Sequence, residues 1–185
     1  MRYLQVIGIL LFLLVFNVHK TGAQNFQEEI PADYGYSVSL GQTVPDFDLV
    51  LPDDTYIPIR DLRGKVVMLQ FTASWCSVCR KEMPHIEKEI WQKHKENANF
   101  KLFGIDLKEP VETVVAFQKQ VGISYPLALD ANGSVFEKFT VPNAGVTRNI
   151  IIDRNGTIVF LTRLFKEEEF NRMKEVIDKL LRKDE

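Results

Sequence analysis

The chain has 185 residues, of which 45% are hydrophobic, and a formal net charge of −2. This length and composition suit one domain whose core needs no disulfide staples. The near balance of charge excludes the strongly basic surface that binds nucleic acid.

The first 23 residues have the pattern of an export signal. Arg2 is followed by an apolar run over residues 6–16, and Thr21, Gly22 and Ala23 are small residues of the kind that a signal peptidase accepts. We predict cleavage after Ala23. The alternative is a retained membrane anchor, but a membrane span needs about 20 apolar residues and this run is shorter. No cysteine near the cut supports lipid attachment.

Three segments follow from this boundary: a signal peptide over residues 1–23, a polar flexible leader over 24–39 and a folded domain over 40–185. We expect the exported chain to have no stable membrane span and to lie in the periplasm or otherwise outside the cytoplasm. Without Arg2 and Lys20 it keeps 21 basic against 25 acidic residues. Nucleic acid is therefore not an expected partner.

Strands and helices alternate along the domain. Two short strands at the start contain prolines, which favour edge positions, and the nearly unbroken apolar run over 66–71 indicates a strand buried on both faces. Asn155-Gly156 between two apolar runs predicts a hairpin. The predicted strands are 43–49, 56–59, 66–71, 100–105, 125–129, 149–152 and 157–161. The predicted helices are 76–95, kinked or split at Pro84, and 112–121, 134–139 and 167–181.

The only two cysteines, Cys76 and Cys79, lie where the buried strand over 66–71 runs into a helix. A disulfide between residues three apart closes too small a loop to stabilise a fold much. Structural zinc normally has four Cys or His ligands, and the chain after residue 23 adds only His85 and His94. A redox pair is favoured, with a metal site and an inert bond as the alternatives.

A cysteine at the start of a helix forms a thiolate more easily, because unpaired N–H groups and the helix dipole favour negative charge there. Cys76 is therefore the expected exposed nucleophile. Cys79, one turn later, is close enough to attack a mixed disulfide on Cys76 and release the reduced partner. Ser77 and Val78 shape the loop between the sulfurs and are the natural place to tune the reduction potential, or they merely fill space.

The chain resembles the thioredoxin superfamily and, within it, the exported bacterial TlpA/ResA-like thiol-disulfide oxidoreductases, which are related to AhpC/TSA proteins. The resemblance covers most of residues 24–185. It implies an α/β, thioredoxin-like fold with a central mixed β-sheet flanked by helices, an N-terminal β extension and a central αβ insertion within 104–139. The matching segments are 41–47, 62–67, 71–84 (FTASWCSVCRKEMP) and 150–156.

Three further residues match motif positions of these relatives. The resemblance implies that Glu82 lies near the active site and influences cysteine ionisation or receives a proton; the alternative is a surface glutamate paired with Arg80 or Lys81. Pro84 matches the helix-kinking proline. Trp75 matches the tryptophan that shields the first cysteine and presents a surface to partners, unless it is only a core residue.

The chain departs from this pattern at two positions. Gln70 stands where thioredoxin has a buried acid, which makes Glu82 the better candidate for proton handling. Thr147, after Val146, stands where these relatives have a cis-proline facing the two cysteines. Because a cis bond before a residue other than proline costs about 3 kcal/mol, we expect a trans Val146–Thr147 peptide. Thr147 and Arg148 would then offer side-chain contacts to a partner, unless Thr147 has no role.

The resulting functional hypothesis is an extracytoplasmic enzyme that exchanges its dithiol or disulfide with partner proteins, with reduction of the partner as the expected direction, and without a cofactor or metal. Its electrons would come from another protein, and the resemblance implies a membrane thiol carrier as the donor. The alternatives are a copper carrier on the same fold, a thiol peroxidase and a binding module with incidental cysteines. A peroxidase would need a proline and a hydroxyl residue where the chain has Leu69 and Ala73, and a copper carrier typically has CxxxC spacing and a late histidine.

Overall fold

A mixed seven-stranded β-sheet forms the centre of the structure, a computed structural model that describes residues 29–182. The strand order is β2-β1-β5-β4-β3-β6-β7. The central strands β3, β4 and β5 run parallel, while β1–β2, β1–β5, β3–β6 and β6–β7 pair antiparallel. The strands are β1 (Asp48–Val50), β2 (Tyr56–Pro58), β3 (Val66–Thr72), β4 (Phe100–Leu107), β5 (Leu127–Asp130), β6 (Arg148–Ile152) and β7 (Ile158–Arg163).

Helices cover the sheet, as predicted for an α/β fold with flanking helices. The helices are α1 (Ser77–Ile86), α2 (Gln92–His94), α3 (Val111–Val121), α4 (Ser134–Glu137) and α5 (Glu167–Arg182), and short 3₁₀ turns span Ala32–Tyr34 and Ile59–Leu62. The predicted N-terminal β extension is the β1–β2 hairpin, and the central αβ insertion is α3 with β5.

The two faces of β3 carry different chemistry, because side chains alternate along a strand. Every residue of β3 is buried. Phe71 packs its ring against Phe136 and Phe139 on one face, whereas Gln70 and Thr72 point to α1 on the other. The polar groups of β3 therefore lie under the helix that begins at the cysteines.

The long helix after the cysteines is not split at Pro84. It continues from α1 through a π-helical turn, Glu87–Trp91, into α2. Pro84 lacks the N–H that would bond one turn back, and the irregular hydrogen bonding follows it by three residues, where the Glu87 N–H reaches both Met83 O and Pro84 O. The helix accommodates the proline by this local change of winding.

The start of the domain differs from the sequence expectation. The predicted strand over 43–49 is reduced to β1, and Thr43 forms only an isolated bridge to Thr157. Pro45 cannot donate to a ladder, which shortens regular pairing. The second predicted strand, β2, is at the sheet edge and ends at Pro58, the position favoured for a proline.

Residues 29–39, assigned above to the flexible leader, pack on the domain. Tyr34 and Val38 are buried, and Tyr36 pairs with Thr140 while its hydroxyl donates to the carbonyl of Thr162 at 2.7 Å. The ordered structure thus begins before Leu40. The predicted signal peptide and the first residues of the leader lie outside the described residues.

The closing hairpin has the predicted position. β6 and β7 flank a turn in which Asp153 Oδ1 accepts the N–H groups of Asn155 and Thr157, and Gly156 has a φ of 77°. Glycine adopts that left-handed conformation without steric cost.

None of the helices within residues 29–182 has the length and apolar character that a membrane span requires.

Candidate active site

The two cysteines lie at the junction between β3 and α1. Cys76 is the N-cap of α1 with an extended backbone, and its Sγ accepts the N–H of Cys79 at 3.2 Å. The two residues form a disulfide with their Cα atoms 5.3 Å apart. The strand-to-helix placement inferred from the sequence is correct, and it points an N–H group of the first helical turn at the sulfur of Cys76.

Exposure differs sharply around the disulfide. Cys79 is 0% exposed and Cys76 is 8% exposed, so Cys76 is the more accessible of the two. Cys76 is nevertheless buried, whereas the sequence predicted an exposed nucleophile. Trp75 is 66% exposed, which excludes the core alternative for its ring. Ser77 is exposed and Val78 is half-buried. A partner can therefore reach the disulfide at Cys76, next to exposed Trp75.

Thr147 faces the disulfide from the start of β6. Its Oγ1 lies 3.1 Å from Cys76 Sγ and 3.3 Å from Cys79 Sγ. The described residues contain no cis peptide bond, so the Val146–Thr147 bond is trans, as predicted. Both residues are buried. Where the resembling proteins have a cis-proline, this chain therefore has a hydroxyl group next to both sulfurs.

Glu82 is buried beneath α1, at 1% exposure, and not paired with Arg80 or Lys81 on the surface. Its Oε1 accepts the side-chain amide of Asn149 at 2.6 Å, and its Oε2 accepts that of Gln70 at 3.1 Å. Burial raises the pKa of Glu82 to about 7, although these two hydrogen bonds act in the opposite direction. The carboxyl can therefore gain or lose a proton near neutral pH.

Gln70 extends this network toward the segment between α3 and β5. Its side-chain Oε1 accepts the hydroxyl of buried Tyr125 at 2.7 Å. Sequence reasoning singled out Gln70 but missed Asn149 and Tyr125. A polar residue inside an apolar strand is a recognisable signal of a buried network, and Asn149 is such a residue at the start of the run Ile150–Ile152.

Ser74, two residues before Cys76, is held by three side-chain hydrogen bonds. Its N–H and its hydroxyl donate to the two carboxylate oxygens of Glu109 at 2.5 and 2.6 Å. Arg80 Nε donates to its carbonyl at 2.6 Å. These contacts fix the loop that presents Trp75. Glu109 gave no recognisable signal in the sequence, because it lies 35 residues away.

Asp106, at the end of β4, was also missed. It is 1% exposed, and neither of its carboxylate oxygens has a hydrogen-bond partner within the protein. Burial, and secondarily the charge of Glu109, raise the pKa of Asp106 to about 8. A raised pKa keeps this buried carboxyl uncharged over a wider range of pH.

Pro84 and His85 are neighbouring residues of α1. Pro84 is exposed on α1. His85, considered as a third metal ligand, instead hydrogen-bonds to Glu89 at 3.0 Å and lies against the ring of Phe165. Within residues 29–182, no three His, Cys, Asp or Glu side chains converge in a group that could hold a metal ion.

Comparison with known proteins agrees with this geometry. Residues 40–161 match the AhpC/TSA family. The thiol-disulfide oxidoreductase ResA of Geobacillus thermodenitrificans (strain NG80-2) is 30% identical over 152 residues, which cover 81% of this chain and 81% of that protein. A solution structure from Bacteroides thetaiotaomicron, assigned as a protein disulfide isomerase, is 55% identical with a TM-score of 0.78 and covers 81% of this chain and 94% of that one.

A third relative has the same fold. A crystal structure from Chlorobium tepidum, assigned as the thiol:disulfide interchange protein DsbE, is 25% identical with a TM-score of 0.66 and covers 78% of this chain and 99% of that one. The chain belongs to the AhpC/TSA family. Its fold is thioredoxin-like and its relatives are ResA-like, as the sequence predicted, and with the Cys76–Cys79 pair it is a thiol-disulfide oxidoreductase.

Proposed function

We propose that this oxidoreductase reduces disulfide bonds of partner proteins outside the cytoplasm, with Cys76 attacking and Cys79 resolving. The observation that carries the assignment of roles is the asymmetry of the pair. Cys76 caps α1 and is 8% exposed, while Cys79 is 0% exposed. An external sulfur can meet Cys76 but not Cys79, whose sulfur then reacts only with that of Cys76.

The reaction has two exchanges. The Cys76 thiolate attacks a partner disulfide, a mixed disulfide forms, and the other partner sulfur leaves as a thiolate that takes up a proton. The Cys79 thiolate then attacks Cys76 Sγ, which closes the Cys76–Cys79 disulfide and releases the second partner sulfur. Two electrons pass from the cysteine pair to the partner. A thiol donor must return them, and we propose a membrane thiol carrier for that role.

Glu82 is the proposed proton acceptor for Cys79. It follows Cys79 by three residues on α1, a spacing that places side chains on the same helix face. Its pKa of about 7 suits a general base that works near neutral pH. In this role Glu82 accepts the Cys79 thiol proton before the resolving attack, while Gln70 and Asn149 hold the carboxylate in place.

The surface around the disulfide suits a protein partner. Trp75 is exposed beside Cys76, Leu164 is 40% exposed and donates its N–H to the carbonyl of Thr147, and Val141 is 43% exposed in the segment leading to Val146. No described residue hydrogen-bonds to the backbone of Val146. The docking mode that we propose is strand addition, in which an extended partner chain pairs with the backbone of Val146 while its side chains contact these apolar groups.

The proposal that the protein is exported rests on the signal-peptide pattern of residues 1–23. Mass spectrometry of the protein recovered from outside the cytoplasm of its host should show a mature N-terminus at Gln24. A chain that keeps residues 1–23 and stays with the membrane would support the anchor alternative instead.

The direction of the reaction is tested by the reduction potential of the pair. Equilibration of the protein against thiol couples of known potential should give a value near or below about −250 mV, which characterises a reductant. A value near about −120 mV would mark an oxidant. The roles are tested by trapping: Cys79→Ser should accumulate mixed disulfides with partners, Cys76→Ser should form none, and equal trapping by both variants would overturn the assignment.

A further inference from the structure

The hydroxyl of Thr147 is placed to hydrogen-bond to both redox-active sulfurs. Its Oγ1 is 3.1 Å from Cys76 Sγ and 3.3 Å from Cys79 Sγ. Among residues 29–182, it is the one side chain that hydrogen-bonds to either sulfur. Thr147 is 2% exposed, so water does not compete strongly for this hydroxyl.

The backbone holds Thr147 in this position. Its carbonyl accepts the N–H of Leu164 at 3.1 Å and Arg163 Nη1 at 3.4 Å. The next residue, Arg148, is a buried member of β6 and pairs with Arg163 across the hairpin. The hydroxyl is therefore presented by the end of a β-ladder and not by a free loop, which keeps its distance to the sulfurs defined.

A hydroxyl interacts very differently with the two redox states. A sulfur in a disulfide or a thiol is a weak acceptor, whereas a thiolate is charged, and hydrogen bonds to a charged acceptor are roughly twice as strong. In the first exchange the charge is on Cys76, and in the second it is on Cys79. A donor within reach of both sulfurs can stabilise each thiolate in turn.

We infer, on the basis of the proposed function, that Thr147 is a catalytic residue whose hydroxyl donates to the Cys76 thiolate before attack and to the Cys79 thiolate before resolution. The proton stays on the Thr147 oxygen throughout, and the bonds that form and break are the sulfur–sulfur bonds described above. Because the hydroxyl favours the thiolate form, it shifts the pair toward the dithiol state. A proline at this position would have no donor.

The test compares variants that keep or remove the hydroxyl. Thr147→Val replaces it with a methyl group of similar shape, and Thr147→Ser keeps it. In a Cys79→Ser background, alkylation of Cys76 by iodoacetamide is followed against pH. We expect the Thr147→Val profile to move up by ~1 pH unit, so that alkylation at pH 6 is ~10-fold slower, as loss of one hydrogen bond to a charged sulfur implies.

The matched control is Thr140→Val. Thr140 is also buried and donates its hydroxyl to the carbonyl of Phe136 at 3.0 Å. This variant should leave the alkylation profile unchanged. With both cysteines present, Thr147→Val should shift equilibrium with glutathione toward the disulfide, and Thr147→Ser should stay close to the unaltered protein. Thr147→Ala is a second hydroxyl-free variant if Thr147→Val does not fold, as judged by circular dichroism.

An unchanged alkylation profile in the folded hydroxyl-free variant would overturn the inference. Thr147→Ser reacting as slowly as Thr147→Val would also overturn it, because the methyl packing and not the hydroxyl would then be responsible. These readouts need no partner protein. Failure of the unaltered protein to reduce protein disulfides would instead reject the proposed function, whatever the alkylation profile shows.

Discussion

The side chain of Asn149 on β6 donates to Glu82 on α1 at 2.6 Å, and this bond joins the closing hairpin to the helix that carries the cysteines. Gln70 on β3 donates the second side-chain hydrogen bond to this carboxylate. A titratable group is thus held between two strands and the active-site helix, with its pKa raised to about 7 by burial.

Stability should fall with rising pH because of Glu82. Its pKa in the folded protein is above its ordinary value of 4.5, so the folded state binds the proton more tightly than the unfolded state. The contribution of protonated Glu82 to the free energy of unfolding is fully present below pH 4.5 and is lost as pH rises through about 7. The loss is on the order of 3 kcal/mol.

Urea unfolding of the oxidised protein between pH 4.5 and 8 measures this effect. Glu82→Gln cannot lose a proton, so its unfolding free energy should fall less over that interval. Asp106→Asn is the companion variant, because the pKa of Asp106 is also raised, to about 8. The contribution of protonated Asp106 to the free energy of unfolding should be lost at a higher pH than that of Glu82. Identical pH slopes for Glu82→Gln and the unaltered protein would contradict the assignment.

Gln70 should stabilise the fold as a bridge between Tyr125 and Glu82. Gln70→Leu removes the acceptor of the Tyr125 hydroxyl and one donor to Glu82, and it leaves both groups buried without that partner. A buried unsatisfied polar group costs about 1–3 kcal/mol.

Tyr125→Phe is the matched control, because it removes only the hydroxyl that donates to Gln70. We expect the unfolding free energy to fall by more in Gln70→Leu than in Tyr125→Phe. Gln70→Leu should also move the pH dependence of stability, since Glu82 loses a hydrogen bond that favours its ionised form. An equal loss in both variants, with no pH effect, would mean that the bridge to Glu82 contributes little.

The residues of this site show which features the sequence predicts. The apolar run of β3, the helical spacing after Cys76 and the turn at Asn155-Gly156 are local patterns, and the corresponding elements are present. Their positions place the disulfide at the start of a helix without any information on tertiary contacts. Thr147, in contrast, was marked as unusual by the resemblance to thioredoxin-like relatives and not by a local pattern.

The missed features depend on contacts between distant parts of the chain. Asn149 and Glu82 are 67 positions apart, and Ser74 and Glu109 are 35 apart. Nothing in the neighbourhood of Glu109 distinguishes it from a solvated loop residue. The polar segment before Leu40 likewise has no local sign that Tyr34 and Tyr36 pack against Arg148.

That N-terminal segment should contribute to stability. The guanidinium of Arg148 is buried, donates to the carbonyl of Tyr34, and lies 4.6 Å from the ring of Tyr36. A chain that starts at Leu40 loses these contacts and the burial of Tyr34 and Val38. We expect its unfolding free energy to fall by several kcal/mol, from about 1.5–3 kcal/mol for each buried apolar side chain.

Urea unfolding of chains that start at Gln24 and at Leu40 tests this expectation. Tyr36→Phe in the longer chain is the control, because it removes only the Tyr36 hydroxyl, which donates a hydrogen bond to Thr162. It should lower the free energy of unfolding far less than the truncation does. Equal midpoints for the two chains would restore the interpretation of residues 24–39 as a leader without structural contribution.

Glu109 should act on partner binding through Ser74. Its two carboxylate oxygens accept the N–H and the hydroxyl of Ser74, which fixes the loop that carries exposed Trp75. Glu109→Gln keeps one acceptor and turns the other into a donor that opposes Ser74. The loop should then hold Trp75 less firmly, while Cys76 keeps its place as N-cap of α1.

We therefore expect Glu109→Gln to raise KM for a protein disulfide several-fold and to leave kcat and the reaction with a small disulfide such as dithionitrobenzoate nearly unchanged. Ser74→Ala, which removes only the hydroxyl, should give a smaller effect, and Glu112→Gln, an acidic side chain in the first turn of α3, should give none. The difference between the two substrates is the informative readout. If Glu109→Gln slows both equally, Glu109 acts on the cysteines themselves and not on the surface that Trp75 presents.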